Sequence, residues 1–169
     1  GIRTVGSFIF PTPRETEKSM ALTLERIREL RGSLDSALVL AAGVYPPTPW
    51  GQDPEKYGIK LDEDYLDRVI IYPVKYMLPL REWPPYPLTY DLMGRPAAEV
   101  SFDDIVDVHE VFVKTVREDF GIPGLPDYYF LLAHRLAQHP TAAAAAIVPL
   151  MMSRDYAGLE ALFQRECAK

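Results

Sequence analysis

TVGSFIFPTPRETEKSMALTLERIREL, residues 4–30, decides the fold. Val5, Phe8, Ile9 and Phe10 form an apolar run of strand length, ended by Pro11. Thr12-Pro13-Arg14-Glu15 then stacks three helix-start signals. A threonine hydroxyl can cap, a proline at the first helical position loses no hydrogen bond, and a glutamate three residues on closes a capping box. Met20, Leu24, Ile27 and Leu30 follow at helical spacing, with charged residues mostly on the other faces and Gly32 as a stop.

A second apolar run, residues 37–42, follows Leu34-Asp35-Ser36. Strand, helix and strand with short connections imply a right-handed crossover and a parallel pair. Residues 43–60 read as loop, because four prolines and three glycines oppose a continuous helix or a central strand. In α/β proteins the loops after the C-terminal ends of parallel strands are where sites form. Here that loop carries Tyr45, Trp50 and Tyr57, which either face a flat ligand or cover the end of the sheet.

The same stretch resembles radical SAM enzymes. Ile9-Phe10-Pro11-Thr12-Pro13-Arg14-Glu15-Thr16 is similar to their I-x-G-x-P-G-E-T pattern, and Tyr45-Pro46-Pro47-Thr48-Pro49 to their Y-P-G-T-P. Gly1-Ile2-x-Thr4 resembles the G-I-x-T that often precedes a barrel strand. More loosely, Pro87-Leu88-Thr89-Tyr90 and Ser101-Phe102-Asp103-Asp104 resemble the post-barrel segment of members that often also bind cobalamin. The chain departs from the family where Pro11, Arg14 and Pro47 replace glycine, and it lacks the CxxxCxxC that ligates the iron–sulfur cluster.

The resemblance implies an α/β chain: the last βα units of a partial parallel (β/α) barrel over residues 1–60, followed by a mainly helical extension over residues 61–169. It implies S-adenosyl-L-methionine (SAM) and an iron–sulfur cluster as cofactors of the complete enzyme, with cobalamin in the subgroup. The cluster ligands would come from a missing N-terminal barrel segment or a partner chain. It further implies a small-molecule substrate and radical-mediated methyl transfer or rearrangement, and it assigns no catalytic residue in this chain. Arg14, at a helix start near the mouth of the sheet, would meet an acidic substrate group or the SAM carboxylate. Its plain alternative is an ordinary first-turn side chain. Glu15 is chiefly a capping residue and secondarily a ligand contact, while Val44 and Tyr45 lie where the resemblance implies backbone contact with the SAM adenine. A strand left without its barrel neighbour presents an apolar edge, through which copies of the chain would associate. The rival class is a non-catalytic helical interaction module with a degenerate SAM-binding half-barrel.

Composition narrows the alternatives. The 169 residues suit one domain or part of a larger one, and 48% hydrophobic content supports a packed core. A net charge of −6 with scattered basic residues argues against a nucleic-acid partner. One cysteine, Cys167, excludes an internal disulfide framework and points to a reducing, cytoplasmic compartment. No segment reaches the roughly twenty apolar residues of a membrane span, and Arg14, Glu15 and Glu17 break any signal-peptide pattern.

Further along, Asp62 is expected to cap a helix through Tyr65, Leu66, Val69, Ile70, Tyr72, Tyr76 and Met77, kinked or broken at Pro73. Residues 80–98 read as an irregular, proline-rich segment with Trp83, Tyr86 and Tyr90 as a second aromatic cluster and 88–90 as an extended piece. Ser101 with Asp104 opens a helix whose buried face is Ile105, Val108, Phe112 and Val116, and Gly121 ends it. Helices over 128–138 and within 141–152, and a last one opened by Asp155, complete the chain. His109, His134 and His139 share no metal-binding spacing, and His109 is expected on the solvent side. Signatures for Ser-His-Asp or Cys-His catalysis and for phosphate binding are missing.

Overall fold

The structure, a computed structural model, describes residues 4–69, 80–82, 87–124, 149–150 and 153–167. Expectations for residues 70–79, for Trp83 and Tyr86, and for the helices and histidines between 125 and 148 lie outside the described residues.

Two parallel strands, β1 (Val5–Ile9) and β2 (Ser36–Leu40), flank helix α1 (Glu17–Leu30), as the apolar periods require. Their register pairs Val5 with Ser36 and Ile9 with Leu40, and the Phe10 N–H donates to the Leu40 carbonyl at 2.8 Å as a last rung. On one face of the pair, Phe8, Phe10, Ala37 and Val39 pack against Met20, Leu24 and Ile27 of α1. The opposite face carries Val5, Ile9, Leu38 and Leu40 by strand alternation, and Ile9 there is 55% exposed. Among the described residues, β1 pairs with β2 alone.

A second small sheet is antiparallel: β3 (Ile59–Leu61) pairs with β4 (Leu88–Tyr90). The extended piece expected at 88–90 is β4. The strand beginning at Ile59 is a correction to the loop expected through residue 60. Before it stand a single turn, α2 (Pro49–Gln52), and a 3-10 turn at Glu55–Tyr57. Gly58, with φ 67°, turns the chain into β3, and a Cβ there would meet the Asp91 carboxylate at 2.1 Å. Helix α3 (Tyr65–Val69) follows, and Arg68 reaches the carboxylates of both Asp62 and Asp64. A core cluster joins Ala42 and Val44 with Ile59, Tyr65, Leu88, Tyr90, Leu92, Val100 and Ile105, so apolar packing runs continuously across residue 60.

Helix α4 (Phe102–Lys114) begins as expected. The Ser101 hydroxyl accepts from the Asp104 N–H at 3.2 Å, and the Asp104 carboxylate accepts from the Ser101 N–H at 2.7 Å. It runs on through a π-helical turn, Thr115–Asp119, and ends before Gly121 at φ 69°. Phe112, 0% exposed, stacks on Phe10 with ring centroids 3.9 Å apart, so α4 closes the β1–α1–β2 unit. The last helix, α5 (Tyr156–Cys167), has its first turn capped by the Asp155 carboxylate, which accepts from the Gly158 N–H at 2.8 Å. The described residues are thus mixed α/β, with two two-stranded sheets and no closed barrel. No helix among them is long and apolar enough to cross a membrane.

Candidate functional site

The four expected site residues lie on two loops that leave the same, C-terminal, end of the parallel β1–β2 pair. Arg14 and Glu15 follow β1, and Val44 and Tyr45 follow β2.

The first loop is built differently from its expected form. Helix α1 starts at Glu17, capped by Thr16, whose hydroxyl accepts from the Ser19 N–H at 3.1 Å while Ser19 Oγ accepts from the Thr16 N–H at 2.9 Å. The expected cap at Thr12, with Pro13 as first helical residue, is therefore corrected by four residues. The Glu15 half of the expected box is present, its carboxylate accepting from the Thr12 N–H at 3.3 Å, but the Thr12 hydroxyl donates to that carboxylate at 2.9 Å instead of capping the Glu15 N–H. Glu15 is buried, 7% exposed, and also accepts from the Ser19 hydroxyl. It acts as the polar centre of the turn that leads into α1.

Arg14 has φ 65°, a left-handed conformation that a side chain resists, so it is not a helical first-turn residue. Long-range pairing holds it there. The Arg14 N–H donates to the Asp91 carbonyl at 2.7 Å, and the Met93 N–H donates to the Glu15 carbonyl at 2.7 Å. Residues 14–15 are thereby zipped onto the chain after β4. That chain reverses through Met93 (φ 51°) and Gly94 (φ 78°), with Leu92 and Arg95 exchanging two backbone bonds of 2.9 Å, as in a type I′ turn. The Arg14 side chain is 60% exposed. It donates to the Lys56 carbonyl at 2.7 Å and lies 3.7 Å from the Asp91 carboxylate.

Three buried side chains missed by sequence reasoning fix the loops. The Tyr90 hydroxyl donates to the Pro11 carbonyl at 2.9 Å. Burial pushes its phenol well above the ordinary range, and the negative charge of Glu15 adds to that, so Tyr90 stays a neutral donor. His109 Nδ1 donates to the Phe10 carbonyl at 2.7 Å, and the Phe10–Pro11 peptide is cis. His109 is 8% exposed, which corrects the expected solvent position. The signal was present: Ile105, His109, Phe112 and Val116 recur at spacings of four, three and four, so the histidine shares the apolar face. Burial lowers the affinity of its imidazole for a proton, the Phe10 carbonyl partly offsets this, and the Arg117 charge adds to the lowering.

The third is Tyr65, whose hydroxyl accepts from the Val44 N–H at 2.7 Å and donates to the Val44 carbonyl at 2.9 Å. Val44, 2% exposed, is thus a buried wall whose N–H is already used and whose carbonyl keeps one lone pair. Tyr45 beside it is 48% exposed, and its carbonyl accepts from both the N–H and the hydroxyl of Thr48, which caps α2. Trp50 and Tyr57 are partly buried, packed against the core cluster that holds Ala42 and Val44.

An iron–sulfur cluster does not fit this chain, which has one cysteine. Among the described residues no group of three or more His, Cys, Asp or Glu could hold a metal ion. No protein-family model, no curated protein and no solved structure matches the chain.

Proposed function

We propose that this chain supplies part of the SAM and substrate wall of a radical SAM enzyme, with its helical region as a cap. The observation that carries this reading is the backbone of Arg14. The pattern that residues 9–16 resemble has glycine there, and Arg14 holds φ 65°, the conformation glycine adopts freely. A residue unsuited to that geometry keeps it, at the C-terminal end of a parallel strand, beside a buried acid. In this reading the Arg14 guanidinium pairs with a carboxylate of SAM or substrate, Glu15 orders the turn beneath it, Val44 forms an apolar wall and Tyr45 presents an exposed ring. The Val44 N–H is committed to Tyr65, so any backbone contact with the adenine falls to the Val44 carbonyl or to Tyr45.

In a complete enzyme a cluster and SAM, with cobalamin in the subgroup, would supply hydrogen-abstraction chemistry for methyl transfer or rearrangement of an organic substrate. The cysteines for that cluster belong to a missing barrel segment or a partner chain. This chain contributes binding, orientation and exclusion of water. In a cytoplasmic setting without that partner, the β1 edge, unpaired among the described residues, favours self-association, which sedimentation velocity over a concentration series measures. The occupied Val44 N–H favours the alternative of an interaction module with a degenerate SAM-binding half-barrel. Titration calorimetry tests the main reading: without cluster iron the chain should bind SAM only weakly, and tight binding contradicts it.

A further inference from the structure

Arg14 and Asp91 bring opposite charges together in the loop after β1, and the backbone fixes both. The Arg14 N–H donates to the Asp91 carbonyl at 2.7 Å, which holds residue 14 at φ 65°. The Arg14 guanidinium is oriented by one bond, from Nη2 to the Lys56 carbonyl at 2.7 Å. The Asp91 carboxylate is oriented in a similar way. Its Oδ1 accepts from the Ala97 N–H at 2.9 Å, and its Oδ2 lies in the space left by Gly58, where a Cβ would stand 2.1 Å away. Arg14 Nε and Asp91 Oδ2 are 3.7 Å apart, close enough to attract and too far for a direct hydrogen bond. Among the described residues, Nε and Nη1 of Arg14 thus donate to no partner, and Asp91 Oδ2 accepts from none.

We propose that this pair binds the α-amino-acid end of a small molecule, its carboxylate on the Arg14 guanidinium and its ammonium on Asp91 Oδ2. The side chains are 60% and 35% exposed, so both face solvent in part. Because the pair is not hydrogen-bonded within itself, a ligand gains charge-assisted bonds to oriented groups without breaking one. The charges of the pair sum to zero, and this decides the class of ligand. A simple carboxylate drawn to Arg14 is repelled by Asp91, and a simple amine meets the reverse. A molecule carrying both charges on neighbouring atoms satisfies both. Glu15, the nearest acid in sequence, is buried and engaged by the Thr12 and Ser19 hydroxyls, so Asp91 is the carboxylate that faces Arg14. Stability alone does not account for the arrangement. An ion pair this exposed adds little, yet a residue with a Cβ is kept in a left-handed conformation that opposes it, the kind of strain that gathers at binding sites.

The inference deepens the function proposed above, and it rests on that reading for the place of the site in an enzyme. SAM and an amino-acid substrate both carry an α-amino-acid end, and that shared chemistry is what the Arg14–Asp91 pair recognises.

NMR titrations of the whole chain with L-alanine, propionate and ethylamine test it, followed at the Arg14 Nε–H and at the Ala97 amide that donates to Asp91. The three probes differ only in which charges they carry. L-alanine should bind at least about tenfold more tightly than either of the others. Asp91→Asn keeps an oxygen for the Ala97 N–H and removes the charge, so it should bring L-alanine down to the level of propionate. Arg14→Gly, whose backbone suits φ 65°, should abolish the L-alanine shift at Ala97 while the Met93 amide stays where it is in the parent, a sign that the loop is intact. Equal binding of the three probes, no shift with L-alanine, or a preference for L-alanine that survives Asp91→Asn overturns the site. Repeating the titration with SAM present separates the two sources. Exclusion of L-alanine assigns the site to the SAM end, and retention while the Val44 and Tyr45 amides report bound SAM assigns it to the substrate; either result upholds it. L-alanine without effect, while SAM shifts those two amides, overturns this site and leaves the proposed function standing. L-alanine bound with no SAM shift at residues 44–45 does the opposite.

Discussion

Replacing Arg14 by glycine and, separately, by alanine isolates the backbone of the loop. Both substitutions remove the bond to the Lys56 carbonyl and the 3.7 Å approach to Asp91. Arg14 is 60% exposed, so that common loss is at most about 1 kcal/mol. The two variants then differ in how they tolerate φ 65°. A left-handed backbone costs a residue with a Cβ roughly 1–2 kcal/mol, and glycine's greater freedom in the unfolded chain returns about 0.5–1 kcal/mol of that. Arg14→Gly should therefore be about 0.5–1 kcal/mol more stable than Arg14→Ala, and close to the parent protein. In the first turn of a helix the order is reversed, because alanine is favoured over glycine by up to about 1 kcal/mol. Urea melts with equal slopes read the difference directly. If Arg14→Ala proves the more stable variant, residue 14 is helical and the loop geometry described here is wrong.

Other substitutions probe the neighbouring attachments. Thr16→Ala should cost about 1 kcal/mol and expose the Ser19 amide to exchange, whereas Thr12→Ala should leave that amide protected. Tyr65→Phe strips both buried Val44 backbone groups of their partner and should cost about 1–3 kcal/mol, seen as a lower denaturation midpoint. The bonds from Arg95 and then Ser101 hold the Asp104 carboxyl well below its ordinary value of 3.8. The stabilisation from that ionised group is present above pH 3.8 and is lost as pH falls below it, so the gap between the parent and Asp104→Asn should narrow in acid, as pH-dependent melting will register.

Local pattern made much of the fold legible. The βαβ unit follows from two apolar runs around an amphipathic helix, and α4 from its serine–aspartate box, because each signal is contained within a few residues. The start of α1 was not legible, since Thr12-x-x-Glu15 and Thr16-x-x-Ser19 are both capping patterns. The choice between them is made by Arg14 and Glu15 pairing with Asp91 and Met93, more than seventy residues away. Strand β3 was hidden for a similar reason: its three residues emerge from a proline- and glycine-rich loop and gain their identity from β4. At the candidate site, the composition of the two loops could be read, but their fastenings could not. Tyr65 and Tyr90 looked like generic aromatics, and their hydroxyls find backbone partners only in three dimensions.

The central claim is that the loops after β1 and β2 together face SAM. Two-dimensional NMR of the isolated chain with millimolar SAM tests it most directly. The account predicts weak, fast-exchange shifts concentrated in the amides of residues 14–16 and 44–45, reduced by Arg14→Gly and retained in Thr12→Ala. Shifts absent from both loops, or confined to α5 and the outer face of α4, contradict it.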